Sequence, residues 1–81
     1  MIVNVRVPTA SQCFQLKDIN PESHTVGNLQ TMIQDRTTIP VEYQRIVFNG
    51  KELKDREQTV QALGMNKENC TLFLIVRVLG G

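Results

Sequence analysis

Catalysis needs a nucleophile, a base and a group to orient them, and the residues of this chain that could fill those roles are few. His24 is the only histidine, and Cys13 and Cys70 are the only cysteines in 81 residues. Neither cysteine has a second Cys or a His at metal-ligand or redox-motif spacing. With only scattered carboxylates to add, no nucleophile, base and orienting group can be assembled, so neither an enzyme activity nor a cofactor is expected. The cysteines read as reduced, structural residues that behave as small hydrophobes, in a reducing compartment. His24 reads as an exposed loop residue. The remaining chemical feature is the closing pair Gly80-Gly81. Two residues without Cβ can lie extended in a narrow channel and present an unhindered carbonyl to an attacking thiol or amine.

The elements that must carry these residues follow from composition and periodicity. With 41% hydrophobic residues the chain can bury one modest core, which sets the bound at one domain. Nine basic against eight acidic side chains give a net charge of +1. The sequence shows no clustered positive field of the kind that nucleic acid or anionic membrane attracts, and protein partners are expected instead. Asn4 and Arg6 interrupt the apolar residues of Met1 to Val7, which fits neither a signal-peptide core nor a spanning helix, so no export is indicated.

Ile2 to Val7 is rich in β-branched residues, and Phe14-Gln15-Leu16 resumes an in-out alternation after the polar stretch Pro8 to Ser11, predicting an opening hairpin. Val26, Leu29, Met32 and Ile33 fall at three- and four-residue spacing and predict a helix from Val26 to about Thr37, with Thr25 as its N-cap. Ile39-Pro40 stops it. Gln44 to Phe48 is a third strand, Asn49-Gly50 a tight turn that tolerates positive φ, and Glu52-Leu53 a short strand. Asp55 to Lys67 suits an irregular loop with a short helical turn. Thr71 to Arg77 is the clearest strand, its period of two sending Leu72, Leu74 and Val76 toward the helix and Phe73, Ile75 and Arg77 the other way. The expected fold is α+β, a mixed sheet of four to five strands packed on one helix, spanning residues 1–77, with residues 78–81 as a mobile tail.

Ile33-Gln34-Asp35-Arg36, Ile39-Pro40, Gln44 to Phe48, Gly50-Lys51-Glu52-Leu53, Lys67-Glu68 and Gly80-Gly81 together resemble the ubiquitin family in order and spacing, from Met1 to Gly81. The resemblance implies the ubiquitin-like β-grasp fold. It also has departures. Thr38 stands where the family has a glycine after its helix, and a β-branched residue resists the left-handed cap that glycine adopts, so a different helix exit is expected. The first loop opens with Pro8 and lacks glycine, Leu79 replaces the penultimate arginine, Phe73 replaces a histidine, and the lysines are reduced to Lys17, Lys51, Lys54 and Lys67.

By resemblance, the Gly81 carboxyl is converted by partner enzymes to an adenylate and a thioester and ends in an isopeptide bond to a substrate lysine. Gly80, Leu79 and Arg77 are then the residues that an activating enzyme reads, and conjugating and ligase enzymes follow in the pathway. Val47, Phe73 and Ile75 are expected to face solvent on adjacent strands as an apolar patch, with Arg45 and Arg77 as its polar rim. Contiguous exposed apolar clusters of this sort mark partner sites. Lys51 and Lys67 match lysines used for chain linkage. Tyr43 is expected to close the core edge. The alternative is a non-conjugated ubiquitin-like domain of a longer protein, docking through the Val47-Phe73-Ile75 face to ubiquitin-binding-type domains or the proteasome. A sulfur carrier, which shares the Gly-Gly end, is a third reading with less in its favour. A monomer acting in the cytoplasm or nucleus is expected in either leading case.

Overall fold

The computed structural model describes residues 1–65 and 69–77. Strand β1 (Ile2–Val7) pairs antiparallel with β2 (Gln12–Leu16), with Val3 opposite Leu16 and Val5 opposite Phe14. A single 3-10 turn, Pro8–Ala10, joins them, and Ser11 closes it with φ 50° and a bond from its N–H to the Pro8 carbonyl. Pro8 suits that first position, where no N–H is needed and its fixed φ is already helical.

Helix α1 (Val26–Thr37) follows a long loop and ends before β3 (Gln44–Phe48), β4 (Lys51–Glu52) and β5 (Asn69–Val76) complete the sheet in the order β2-β1-β5-β3-β4. β5 lies parallel to β1 and antiparallel to β3, so the sheet is mixed, as expected. Asn49 and Gly50, with φ 54° and 81°, form the two-residue turn between β3 and β4. Their residue types tolerate those angles. This is the ubiquitin-like β-grasp arrangement.

The alternation of each strand divides the sheet into two faces. Val3, Val5, Val7, Leu16, Ile46, Leu72 and Leu74 point inward and are buried, together with Leu29 and Ile33 of α1 and with Ile19, Val60 and Met65 from the loops. Deleting one of these aliphatic side chains typically costs about 2–5 kcal/mol. The helix starts where Thr25 predicts it. The Thr25 hydroxyl accepts from the Asn28 N–H at 3.2 Å, and Asn28 Oδ1 accepts from the Thr25 N–H at 2.9 Å. The next two N–H groups, of Val26 and Gly27, are satisfied by the carbonyls of Gln58 and Arg56 from the following loop. No donor of the first turn that these residues supply is left buried and unpaired, which is the requirement at any helix start.

Gln44 fastens the sheet to the helix and to the segment that leaves it. Only 6% exposed, it donates from Nε2 to the carbonyls of Gln30 and Ile39, both at 3.0 Å. Arg36 reaches sideways from α1 to the outer strand, donating from Nη1 to the Gln15 carbonyl at 3.2 Å while its guanidinium carbon lies 5.0 Å from the centre of the Phe14 ring.

Two local expectations are corrected. Thr38 does take the left-handed conformation, φ 63°, ψ 10°, and its N–H closes on the Gln34 carbonyl as a glycine's would. The tertiary demand of the chain's return toward β3 outweighs the steric cost of the branched side chain, helped by hydrogen bonds of Thr38 Oγ1 to the Thr37 carbonyl and of the Ile39 N–H to Thr37 Oγ1. His24 is half-buried rather than exposed. Its Nδ1 accepts the Asn20 N–H at 2.7 Å and its carbonyl accepts the Val60 N–H, which ties two loops together.

A left-handed non-glycine residue costs roughly 1–2 kcal/mol, partly offset because glycine loses more freedom on folding. Thr38→Gly is therefore expected to stabilise the fold by about 1 kcal/mol. Urea unfolding followed by far-UV circular dichroism reads it, and a variant no more stable than the parent refutes the strain argument.

Candidate functional site

The sheet face turned away from α1 carries the sequence-derived patch. In register, Arg45 of β3 stands opposite Ile75 of β5, Val47 opposite Phe73, and Arg6 of β1 on the other flank of Phe73. Period two therefore brings these side chains onto one face, with Phe73 and Ile75 separated by a single inward residue, Leu74. Phe73 and Ile75 are 40% and 41% exposed and are the large hydrophobic residues most open to solvent among those described. Val47 differs from expectation in being half-buried, flanked in register by Phe73 on one side and Glu52 on the other.

The rim is charged. Arg45 Nη2 bonds Glu52 Oε1 at 2.7 Å. That hydrogen bond holds the Glu52 carboxyl below its ordinary value; desolvation opposes it, and the nearby charges of Arg45, Lys54 and Arg77 add smaller contributions in the lowering sense. The Arg45 guanidinium is correspondingly held above its ordinary value by the same bond. Arg77 is exposed just beyond β5, its backbone N–H bonded to the Tyr43 carbonyl at 2.6 Å. Tyr43 itself is half-buried.

Two rim residues, Arg6 and Glu52, were not singled out in the sequence. Their signal was present, since Arg6 follows the polar phase of β1, but only the β1–β5 register shows that this phase meets Phe73. Cys13 also departs from expectation. It lies exposed on the outer face, opposite Arg6 on β2, whereas Cys70 is buried as a small core residue should be. The inward positions of β2 are taken by Phe14 and Leu16, which leaves Cys13 in the outward phase.

Lys51 is exposed at the start of β4 beside the Asn49-Gly50 turn. Lys67, Leu79, Gly80 and Gly81 lie outside the described residues. Among the described residues no group of three or more His, Cys, Asp or Glu could hold a metal ion, and no helix is long and apolar enough to cross a membrane. The face is built for contact: apolar at its centre, with guanidinium groups at its edge able to pair with carboxylates.

Comparison with known proteins agrees with this geometry. The profile described as Ubiquitin family matches residues 3–79. Over 50 residues, 62% of this chain, the sequence is 36% identical to BAG family molecular chaperone regulator 1 of Mus musculus and equally to that of Rattus norvegicus. The matched stretch spans 14% of the length of those relatives.

The exposure of Cys13 and burial of Cys70 predict that a disulfide-exchange reagent reacts rapidly with one cysteine in the native chain and with the second only on unfolding. Rapid reaction of both refutes the placement of Cys70. The Glu52 shift predicts a pH dependence whose sign is fixed. A carboxyl lowered in the folded state stabilises the fold above its unfolded titration range, and that contribution is lost as pH falls through its folded value. The deficit of Glu52→Gln relative to the parent is expected to be slight at neutral pH and smaller at acidic pH. Urea midpoints at both pH values measure it, and a gap that widens on acidification contradicts the pairing.

Proposed function

The chain belongs to the ubiquitin family, and on that premise we propose that it is a ubiquitin-like docking domain, offering the Val47-Phe73-Ile75 face to ubiquitin-binding-type domains of partner proteins and performing no reaction itself. The observation that carries this reading is the adjacency of Phe73 and Ile75, two large apolar side chains left open on a sheet whose other face holds the whole core. Soluble proteins keep such clusters small unless something covers them.

The similarity to the chaperone regulators supports docking over conjugation, because the matched stretch is a small part of a longer protein. By their name those relatives regulate molecular chaperones, and on our reading the partner here belongs to the chaperone or proteasome machinery of the cytoplasm or nucleus. The conjugation reading needs Gly81 as an acyl donor, with Gly80, Leu79 and Arg77 read by an activating enzyme. Of these only Arg77 is among the described residues, and its exposed position serves a docking rim equally well.

Affinity follows from the size of the patch. At roughly 25 cal/mol per Å² of apolar surface removed from water, less the costs of association, a face with two open apolar anchors gives binding of roughly micromolar strength. NMR titration of the isotope-labelled chain with a ubiquitin-binding helical domain is expected to shift the amides of Val47, Phe73 and Ile75. Phe73→Ser is expected to weaken binding about tenfold, the loss of one anchor at the centre of a small interface. Shifts confined to another face, or an unchanged affinity in the variant, would overturn the assignment. In a parallel reaction with ATP and a ubiquitin-type activating enzyme, no thiol-sensitive adduct is expected. An adduct that disappears on deletion of Gly81 would reinstate conjugation.

A further inference from the structure

Beside Phe73, the turn that closes the first hairpin borders a hollow of about 280 Å³, lined by Arg6, Pro8, Ser11, Gln12, Cys13 and Phe73 among others. The register explains the convergence. Arg6 stands between Cys13 of β2 and Phe73 of β5, so its side chain shares the outer face with theirs. It is the only charged side chain in the lining. Arg36, Arg45 and Arg56 are each bonded to another group of the chain, whereas the exposed guanidinium of Arg6 makes no hydrogen bond or ion pair among the described residues.

Ser11 brings a hydroxyl to the same hollow, and Thr9, the other hydroxyl of the turn, is not in its lining. The hydroxyls of Thr25, Thr31, Thr37, Thr38 and Thr59 are engaged in hydrogen bonds within the chain, and that of Ser11 makes none among the described residues. Residues Pro8 to Cys13 are all exposed, so an enzyme can approach the turn from solvent. The turn is also lightly held. Its closing backbone bond, from the Ser11 N–H to the Pro8 carbonyl, is 3.3 Å long, and Ser11 sits at φ 50°, a left-handed angle that a residue with a Cβ resists. Exposed turns of this kind open locally at small cost, which lets the segment lie extended in the active site of a modifying enzyme. A water molecule takes roughly 30 Å³, so the hollow also has room for a phosphoryl group.

We propose that Ser11 is a phosphorylation site, and that its phosphate pairs with Arg6 in this hollow and weakens docking at the Phe73 side of the patch. The step is a transfer from a nucleoside triphosphate held by a protein kinase. The Ser11 oxygen bonds to the terminal phosphorus, the bond from that phosphorus to its bridging oxygen breaks, the diphosphate leaves, and the hydroxyl proton passes to the base of the kinase. The product carries about two negative charges at neutral pH and three acceptor oxygens, which a free guanidinium binds in bidentate fashion. Placed beside Phe73, the phosphate obliges any partner covering that anchor to strip water from a dianion, and it occupies Arg6, a cation of the rim. The consequence for docking rests on the docking reading, while the pairing of the phosphate with Arg6 does not.

The full chain is incubated with ATP in a mammalian cell extract, and mass spectrometry of its peptides is expected to find phosphate on Ser11 and not on Thr9. A full chain with genetically encoded phosphoserine at position 11 then reads the consequences, with circular dichroism to check that it remains folded. In a phosphorus NMR titration its phosphate is expected to lose its last proton at a lower pH than in the Arg6→Gln background, because the guanidinium favours the dianion. Affinity for the ubiquitin-binding helical domain is expected to fall about tenfold. Phosphoserine in place of Thr31, which is exposed on α1, is expected to leave that affinity intact. Absence of phosphate from Ser11, identical titrations in the two backgrounds, or equal effects of phosphoserine at positions 11 and 31 overturns the proposal. If the parent chain binds the helical domain and the phosphorylated chain binds it equally well, the switch is refuted and the docking reading stands. If the parent chain does not bind it, the docking reading fails and the switch fails with it.

Discussion

The register of β5 is the constraint on which the rest of the structure depends. This strand is paired on both sides, parallel to β1 and antiparallel to β3, so its phase is fixed by two independent ladders. Because side chains alternate with a period of two, a slip of one residue would drive Phe73 and Ile75 into the core and bring Leu72 and Leu74 out to solvent. The core selects against that slip through the fit of Leu72 and Leu74 beneath α1. The same selection that stabilises the fold therefore determines what the outer face displays. The core thus fixes the phase of the strand and leaves the outward residues under no packing demand of their own.

On the docking reading, the outward face offers a partner two kinds of contact. Apolar contact at Phe73 and Ile75 supplies affinity by removing surface from water, a term indifferent to direction. The charged groups of Arg45 and Arg77 at the rim would act through charge, a contribution that favours discrimination between partners over raw affinity. The link between the two is Arg45, already oriented by Glu52. A side chain so positioned loses less conformational freedom on meeting a carboxylate than one moving freely in water.

Much of this was readable from sequence, for identifiable reasons. The alternation in Thr71 to Arg77 and the spacing of Val26, Leu29 and Ile33 each reflect a single local geometry, and Thr25 and Asn49-Gly50 are residue types matched to their backbone angles. Where the reading failed, the deciding force was not local. Thr38 adopts φ 63° because the path from helix to β3 requires it, against the preference of its own side chain. Cys13 was misjudged because its phase depends on which neighbours of β2 take the core positions. Arg45 and Arg77 were read from their strands as a cationic rim, but the approach of Arg56 and Gln30 to them could not be, since these residues lie far apart in the chain and only the fold collects them.

The contact of Arg36 with Phe14 and the Gln15 carbonyl has a consequence for how copies of this chain behave in a crowded cell. β2 forms one border of the sheet, and a bare border offers a row of backbone groups onto which a second sheet could zip, the first step toward fibrils. Here an incoming strand must first evict a guanidinium that is both hydrogen-bonded to that border and stacked on an aromatic ring, and must then accept the displaced charge nearby. One long side chain thus acts as a guard against runaway sheet extension.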